Sequence, residues 1–157
     1  MKSFIGPKNL KYKKTVEKAL KKKSLSTLKG DLQKVFNTYI RIRDTKHENG
    51  QAYFICISCG ERKGLEQMHA GHYWPVGGNE AVRFDEDNCH GQCIACNTYK
   101  HGNVLEYTHR LINKIGQQKY DALSVKRHNR SKMMEFEVTH LIGVYTLKIA
   151  ELKSRNK

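Results

Sequence analysis

The sequence predicts an α+β fold in which a small β core is stapled by cysteines and flanked by helices. Three observations carry this. Two C-x-x-C pairs, Cys56–Cys59 and Cys93–Cys96, are separated by 33 residues. Strand-length apolar stretches and glycine-bearing turns surround them. Longer segments on either side place apolar residues at the three-and-four spacing of a helix face.

Residues 1 to 23 hold nine lysines and one glutamate. With so little to bury, residues 1–25 read as a basic, mobile arm. Residues 26–44 read as an amphipathic helix with Leu28, Leu32, Val35, Phe36, Tyr39 and Ile40 on one face, although Gly30 and Asp31 blur its start. Asn49-Gly50 marks a turn. Residues 51–57 read as a strand entering the first knuckle, with residues 66–73 as its hairpin partner. After the loop 75–79, residues 82–92 return toward the second knuckle. A short helix is expected from Cys93 to about Lys100. A second follows over 104–115, with Leu105, Leu111, Ile112 and Ile115 inward and Gly116 as its stop. A short helix is expected over 117–124. A basic linker then leads to a last helix, capped by Ser131 and ending near Lys153, with Met134, Val138, Leu141, Ile142, Tyr145, Ile149 and Leu152 along one side. The organisation is an arm (1–25), a central domain (26–124), and a basic linker with a C-terminal helix (125–157).

At 157 residues and 38% hydrophobic content, the chain fits one compact domain with polar tails. No apolar run approaches the roughly 20 residues that span a bilayer, and no apolar stretch follows the N-terminal lysines, so a secretory signal is not expected. The net charge of +14 favours a polyanionic partner, most simply nucleic acid. An anionic membrane surface is the weaker alternative, because no strongly apolar aromatic face accompanies the basic residues.

Four of the five cysteines fall in the C-x-x-C pairs. In a reducing cytosol, the expected compartment, such pairs bind metal rather than form disulfides. Four thiolates from two knuckles complete a tetrahedral zinc site with no open position, so Cys56, Cys59, Cys93 and Cys96 predict structural zinc. Cys89 is left over as a small hydrophobe. Zinc there would pin His69, Ala70, Gly71 and His72 against Asn88, His90, Asn97 and His101, and this His/Asn group is the expected chemical centre.

The order Ala70-Gly71-His72-Tyr73-Trp74-Pro75, then Asn88-Cys89-His90-Gly91-Gln92-Cys93, then Cys96-Asn97 and His101 resembles the His-Asn-His nucleases, also called ββα-metal or His-Me finger nucleases. The chain is more closely similar to the phage NinG recombination endonuclease (Rap) family. That resemblance covers roughly residues 30–123, including Phe36 to Asp44, Val82-Arg83-Phe84, Gly102-Asn103 and Tyr107 to Gly116.

The resemblance implies a ββα-metal core and Mg²⁺-dependent hydrolysis of DNA, with Mn²⁺ able to substitute. The products would carry 5′-phosphate and 3′-hydroxyl ends, and the substrates would be Holliday junctions or D-loops. His72 takes the general-base position, Asn88 braces the loop, and Asn97 and His101 are candidate magnesium ligands. The residue before the base usually binds the metal and is Asp or His, but here it is Gly71. His69, two residues earlier on the same strand face, or His90 could replace it. Each assignment has a bland rival: a structural histidine for His72, a helix cap for Asn97, a surface histidine for His101 or His69, a buried hydrogen-bonded histidine for His90. A possible homodimer would suit a symmetric junction, and the last helix offers an apolar stripe. The rival functions are a general or nicking endonuclease without branch preference and a non-catalytic zinc-ribbon DNA-binding module. The expected setting is the cytoplasm of a bacterial or phage-infected host.

Overall fold

The computed structural model describes residues 23–155. The N-terminal basic arm lies outside the described residues, save for Lys23 to Leu25. Helix α1 spans Leu25–Asp44 and starts earlier than its glycine suggests. Ser24 caps it, its Oγ accepting from Thr27 N at 3.2 Å, so Gly30 is carried inside the helix. Leu32, Phe36, Tyr39 and Ile40 are buried, as their spacing predicts.

Strands β1 (Lys46–Glu48), β2 (Gln51–Ile55) and β3 (Arg62–Gly64) form an antiparallel sheet. Asn49 and Gly50 both take positive φ, 50° and 74°, as a two-residue hairpin turn requires. Strands β4 (Met68–His72) and β5 (Cys89–Cys93) form a separate antiparallel pair. This corrects the expectation that residues 66–73 pair with residues 51–57. The first knuckle is the reason. Cys56 N donates to Glu61 O at 3.0 Å and Gly60 N to Cys56 O at 2.8 Å, so the chain doubles back at once. β3 therefore takes the free edge of β2, and β4 is left for β5. The sheets meet where Ile57 N donates to Gly91 O at 2.9 Å. The returning strand is also shorter than residues 82–92, because Glu80–Val82 and Glu86–Asn88 form single 3₁₀ turns.

After β5 comes a π-type turn, Ala95–Tyr99, then helices α2 (Val104–Ile115), α3 (Gln117–Lys126) and α4 (Glu135–Arg155). Gly116 stops α2 at φ 86°. Leu105 does not face inward: it is 81% exposed. α2 buries Tyr107 and Leu111, and a residue two places before Tyr107 is rotated by about 200° around the axis. Helix α4 begins beyond Ser131, where Met134 N donates to Glu137 Oε2 at 2.6 Å. Its stripe lies along α1: Val138 and Tyr145 are buried, with Leu141, Ile142, Ile149 and Leu152 around them. Tyr145 packs edge-on to Phe36 at 5.0 Å and donates to Phe84 O at 2.9 Å. Met134 lies before the helix and is 61% exposed, but the rest of the stripe offered for a dimer is spent inside the chain. Among the described residues, no helix is long and apolar enough to cross a membrane.

Candidate active site and zinc centre

The four knuckle cysteines converge, with Sγ atoms all within 4.8 Å of one another. Zinc–sulfur bonds of about 2.3 Å put tetrahedral sulfurs about 3.8 Å apart, so the four can hold a zinc ion. Backbone amides already point at them. Cys93 N donates to Cys56 Sγ at 3.3 Å, and Cys96 N to Cys93 Sγ at 3.4 Å. Burial, Cys93 and Cys56 push the Cys96 thiol up to about 12. A thiol raised in this way ionises readily only beside a cation.

Zinc held there would tie the root of β5 to the end of β2 and so set the β4–β5 hairpin on its base. The register pairs Met68 with Cys93, Ala70 with Gly91 and His72 with Cys89, while His69 faces Gln92 and Gly71 faces His90. Alternation puts the first set on one face and the second set on the other.

The first face meets α1. Ala70 and Cys89 belong to the core that α1 and α4 share, and the His72 ring lies 6.0 Å from that of Phe36. Arg43 and Asp44 lock the end of α1 to β5. Arg43 Nη2 donates to Cys89 O at 2.8 Å, and Gly91 N donates to Asp44 Oδ2 at 2.7 Å. Burial pushes the Asp44 carboxyl up, but Arg43, Lys114 and the Gly91 amide outweigh it and hold it at about 2.

His72 Nε2 is 2.9 Å from Arg83 O. A carbonyl only accepts, so Nε2 carries the proton and Nδ1 is the basic nitrogen. Nδ1 lies 3.6 Å from Cys89 Sγ. Burial, with the Arg83 charge, lowers the His72 pKa despite the carbonyl bond, so the ring is neutral at pH 7. Neither Arg83 O nor Cys89 could be assigned from sequence, since both contacts depend on the fold around the loop and the register.

The second face meets α2. Tyr107 OH donates to Gly71 O at 3.0 Å and lies 3.3 Å from His90 Nδ1. His90 is 2% exposed, and burial, with Lys114 and Arg43 nearby, lowers its pKa to about 3. This is the buried, hydrogen-bonded histidine of the bland reading. His69 does meet Asn97, with Nδ1 and the Asn97 amide nitrogen 3.0 Å apart. Turning that amide over would bring its oxygen to the imidazole nitrogen. Cis ligands about 2.1 Å from an octahedral ion are about 3 Å apart, so the pair suits a small divalent cation.

Asn88 is fully buried and braces the loop after β4. Its Oδ1 accepts from Trp74 N at 2.8 Å, and its Nδ2 donates to Trp74 O and Val82 O. Tyr73 packs in the core beside Tyr107. His72, Asn97 and His101, although they come from different elements, border one hollow of about 310 Å³ between the end of β4, the braced loop and the start of α2.

Residues 7–155 match the family model described as bacteriophage lambda NinG protein. The chain is 36% identical over 122 residues to "Protein ninG" of Escherichia phage 933W, covering 78% of this chain and 56% of that protein. It is 34% identical over 122 residues to "Protein ninG" of Escherichia phage lambda, covering 78% and 55%. For "Protein ninG" of Enterobacteria phage H19B the identity is 39% over 100 residues, covering 64% and 45%. The chain thus spans about half the length of the curated relatives it matches. No solved structure matches it. The chain belongs to the NinG family.

Proposed function

We propose that this NinG-family chain is a Mg²⁺-dependent DNA endonuclease that cuts branched recombination intermediates, four-way junctions or D-loops, leaving 5′-phosphate and 3′-hydroxyl ends. One observation carries the reading. His72 is held by Arg83 O, keeps its basic nitrogen unprotonated, and borders the same hollow as Asn97 and His101. A neutral histidine so fixed can take the proton of an attacking water. Bound Mg²⁺, or Mn²⁺ in its place, would neutralise charge on the scissile phosphate and the departing oxygen; His69, Asn97 and His101 are the residues that would hold it. Asn88 keeps the loop that carries Arg83 in place, and the four cysteines hold structural zinc beneath the hairpin. His90 supports β4 through Tyr107.

The +14 charge supports a DNA substrate. Branch preference rests on the family resemblance, and a homodimer would need a surface other than the α4 stripe. A second reading, a non-catalytic zinc-stabilised DNA-binding module, draws on the packing of the His72 ring against Phe36 and Cys89.

The test is cleavage of a labelled four-way junction and a matched linear duplex, with Mg²⁺ or with chelator, by wild type and His72→Ala. Mg²⁺-dependent cuts near the branch that vanish in the variant are expected. Equal cutting of both substrates leaves a general endonuclease. Binding without cutting leaves the binding module.

A further inference from the structure

Position 71 lacks the side chain that the His-Asn-His pattern places before the base, yet the space is filled from across the hairpin. A Cβ on Gly71 would lie 2.1 Å from Gln92 Oε1 and 2.8 Å from Gln92 Cβ. Gln92 is fully buried. Its Nε2 donates to Ser58 Oγ and to Gly102 O, both at 2.6 Å. Because the Gly102 carbonyl only accepts, the two ends of the amide cannot be exchanged. Oε1 is thus fixed beside Gly71, and it has no hydrogen-bond partner among the described residues. A buried carbonyl oxygen left alone is costly and calls for a donor or a cation.

The surroundings favour a cation. Gln92 stands directly across from His69, on the face where His69 meets Asn97. The amide is also anchored to both ends of the zinc staple, Ser58 in the first knuckle and Gly102 just past the second. An amide oxygen held so rigidly, on the strand face that also carries the His69 imidazole, is the donor type that magnesium and manganese take.

We propose that Gln92 Oε1 is an oxygen ligand for a divalent cation shared with His69 and Asn97, taking the role that a side chain at position 71 would otherwise fill. The inference rests on the reading of this face as the cation site. It also explains the glycine: Gly71 and Gln92 are one unit, since any side chain at 71 would displace the amide oxygen.

The experiment measures Mn²⁺ affinity by electron paramagnetic resonance on the zinc-loaded full chain, with zinc content followed in every variant. Gln92→Ala should bind Mn²⁺ about tenfold or more weakly with zinc retained. Gly71→Asp/Gln92→Ala, which moves the oxygen donor to the opposite strand, should recover most of the affinity. Ser58→Ala removes one anchor of Nε2 but keeps Oε1, and should bind like wild type. Wild-type affinity in Gln92→Ala overturns the proposal, as does a loss in Ser58→Ala equal to that in Gln92→Ala. If Gln92→Ala loses zinc, Gly71→Ala decides: its Cβ pushes the oxygen aside, and unchanged Mn²⁺ affinity there overturns the proposal. If wild type binds no Mn²⁺, or if His69→Ala and Asn97→Ala bind it unchanged, the cation reading of the face falls, and this inference with it.

Discussion

The two faces of the β4–β5 hairpin are made from the same ten residues, yet they are held by different chemistry. The α1 face is a core surface: Ala70 and Cys89 lie in the α1–α4 cluster, Met68 in the cluster around the knuckles, and the buried Arg43–Asp44 pair bonds β5. His72 is its polar exception. The α2 face is polar throughout: His69, His90, Gln92 and Tyr107 meet there around a glycine that leaves room for them. His72, the proposed proton acceptor, is held on one side by Phe36 and Arg83 O, while the candidate cation ligands are arranged by hydrogen bonds on the other. His72 from the first face and Tyr107, which packs on the second, both border the hollow at the end of β4, together with Asn97 and His101.

The comparison can be broken outright by removing what both faces share. Stripping zinc, or Cys93→Ser, should unfold the hairpin on both sides, because metal binding in such sites is worth on the order of 10 kcal/mol of folding free energy. Near-UV circular dichroism with zinc analysis checks this, and a native spectrum in zinc-free protein would refute it.

The faces separate next. His72→Ala should slow DNA cleavage by about 10²- to 10⁴-fold, the usual worth of a general base, while Mn²⁺ affinity stays at the wild-type value. Cleavage kinetics and Mn²⁺ titration read the two effects independently. A parallel loss of Mn²⁺ binding would mean that the two faces act as one site.

The α1 face alone is tested at Asp44. Asp44→Asn leaves Arg43 without its carboxylate and should cost about 3 kcal/mol in urea unfolding, as removal of one partner of a buried pair does. The native pKa of about 2 lies below the usual value of 3.8. Its stabilisation is therefore present above about pH 4 and lost as pH falls from 4 toward 2; the shift corresponds to roughly 2 to 3 kcal/mol. The variant should lack that acid limb.

The α2 face has its own titration, at higher pH. His90 is held neutral, with a pKa of about 3 against the usual 6.5, so below pH 6.5 the unfolded chain binds a proton that the folded chain refuses. Stability from this group should fall by about 2 kcal/mol between pH 6.5 and 5. Urea unfolding of His90→Asn at constant zinc content should show a flatter limb there.

Much of this was legible in the residues. Thiolate chemistry and two short spacings were enough to predict a zinc cluster, because a C-x-x-C turn presents both sulfurs locally. The stripe Leu32, Phe36, Tyr39 and Ile40 marked α1, and Gly116 marked the end of α2, for the same reason: helix geometry is set within a few residues. The brace role of Asn88 was offered by resemblance alone; its bonds to Trp74 and Val82 come from the fold. The pairing of residues 66–73 with residues 51–57 did not hold, since strand partnership is non-local and the first knuckle gave the edge of β2 to β3. Leu105 was misplaced because apolar residues on opposite sides of a helix look alike until a partner surface selects one side.

The sequence by itself determined the local units and their chemical kind: the knuckles, the helices, the basic charge, and the His and Asn candidates between the cysteines. Only the tertiary structure decided which candidates share a face. It set His72 on Arg83 O and His69 on Asn97, closed His90 away behind Tyr107, and filled the space beside Gly71 with Gln92. Strand register made those choices, and a register shift of one residue would exchange every side chain between the two faces.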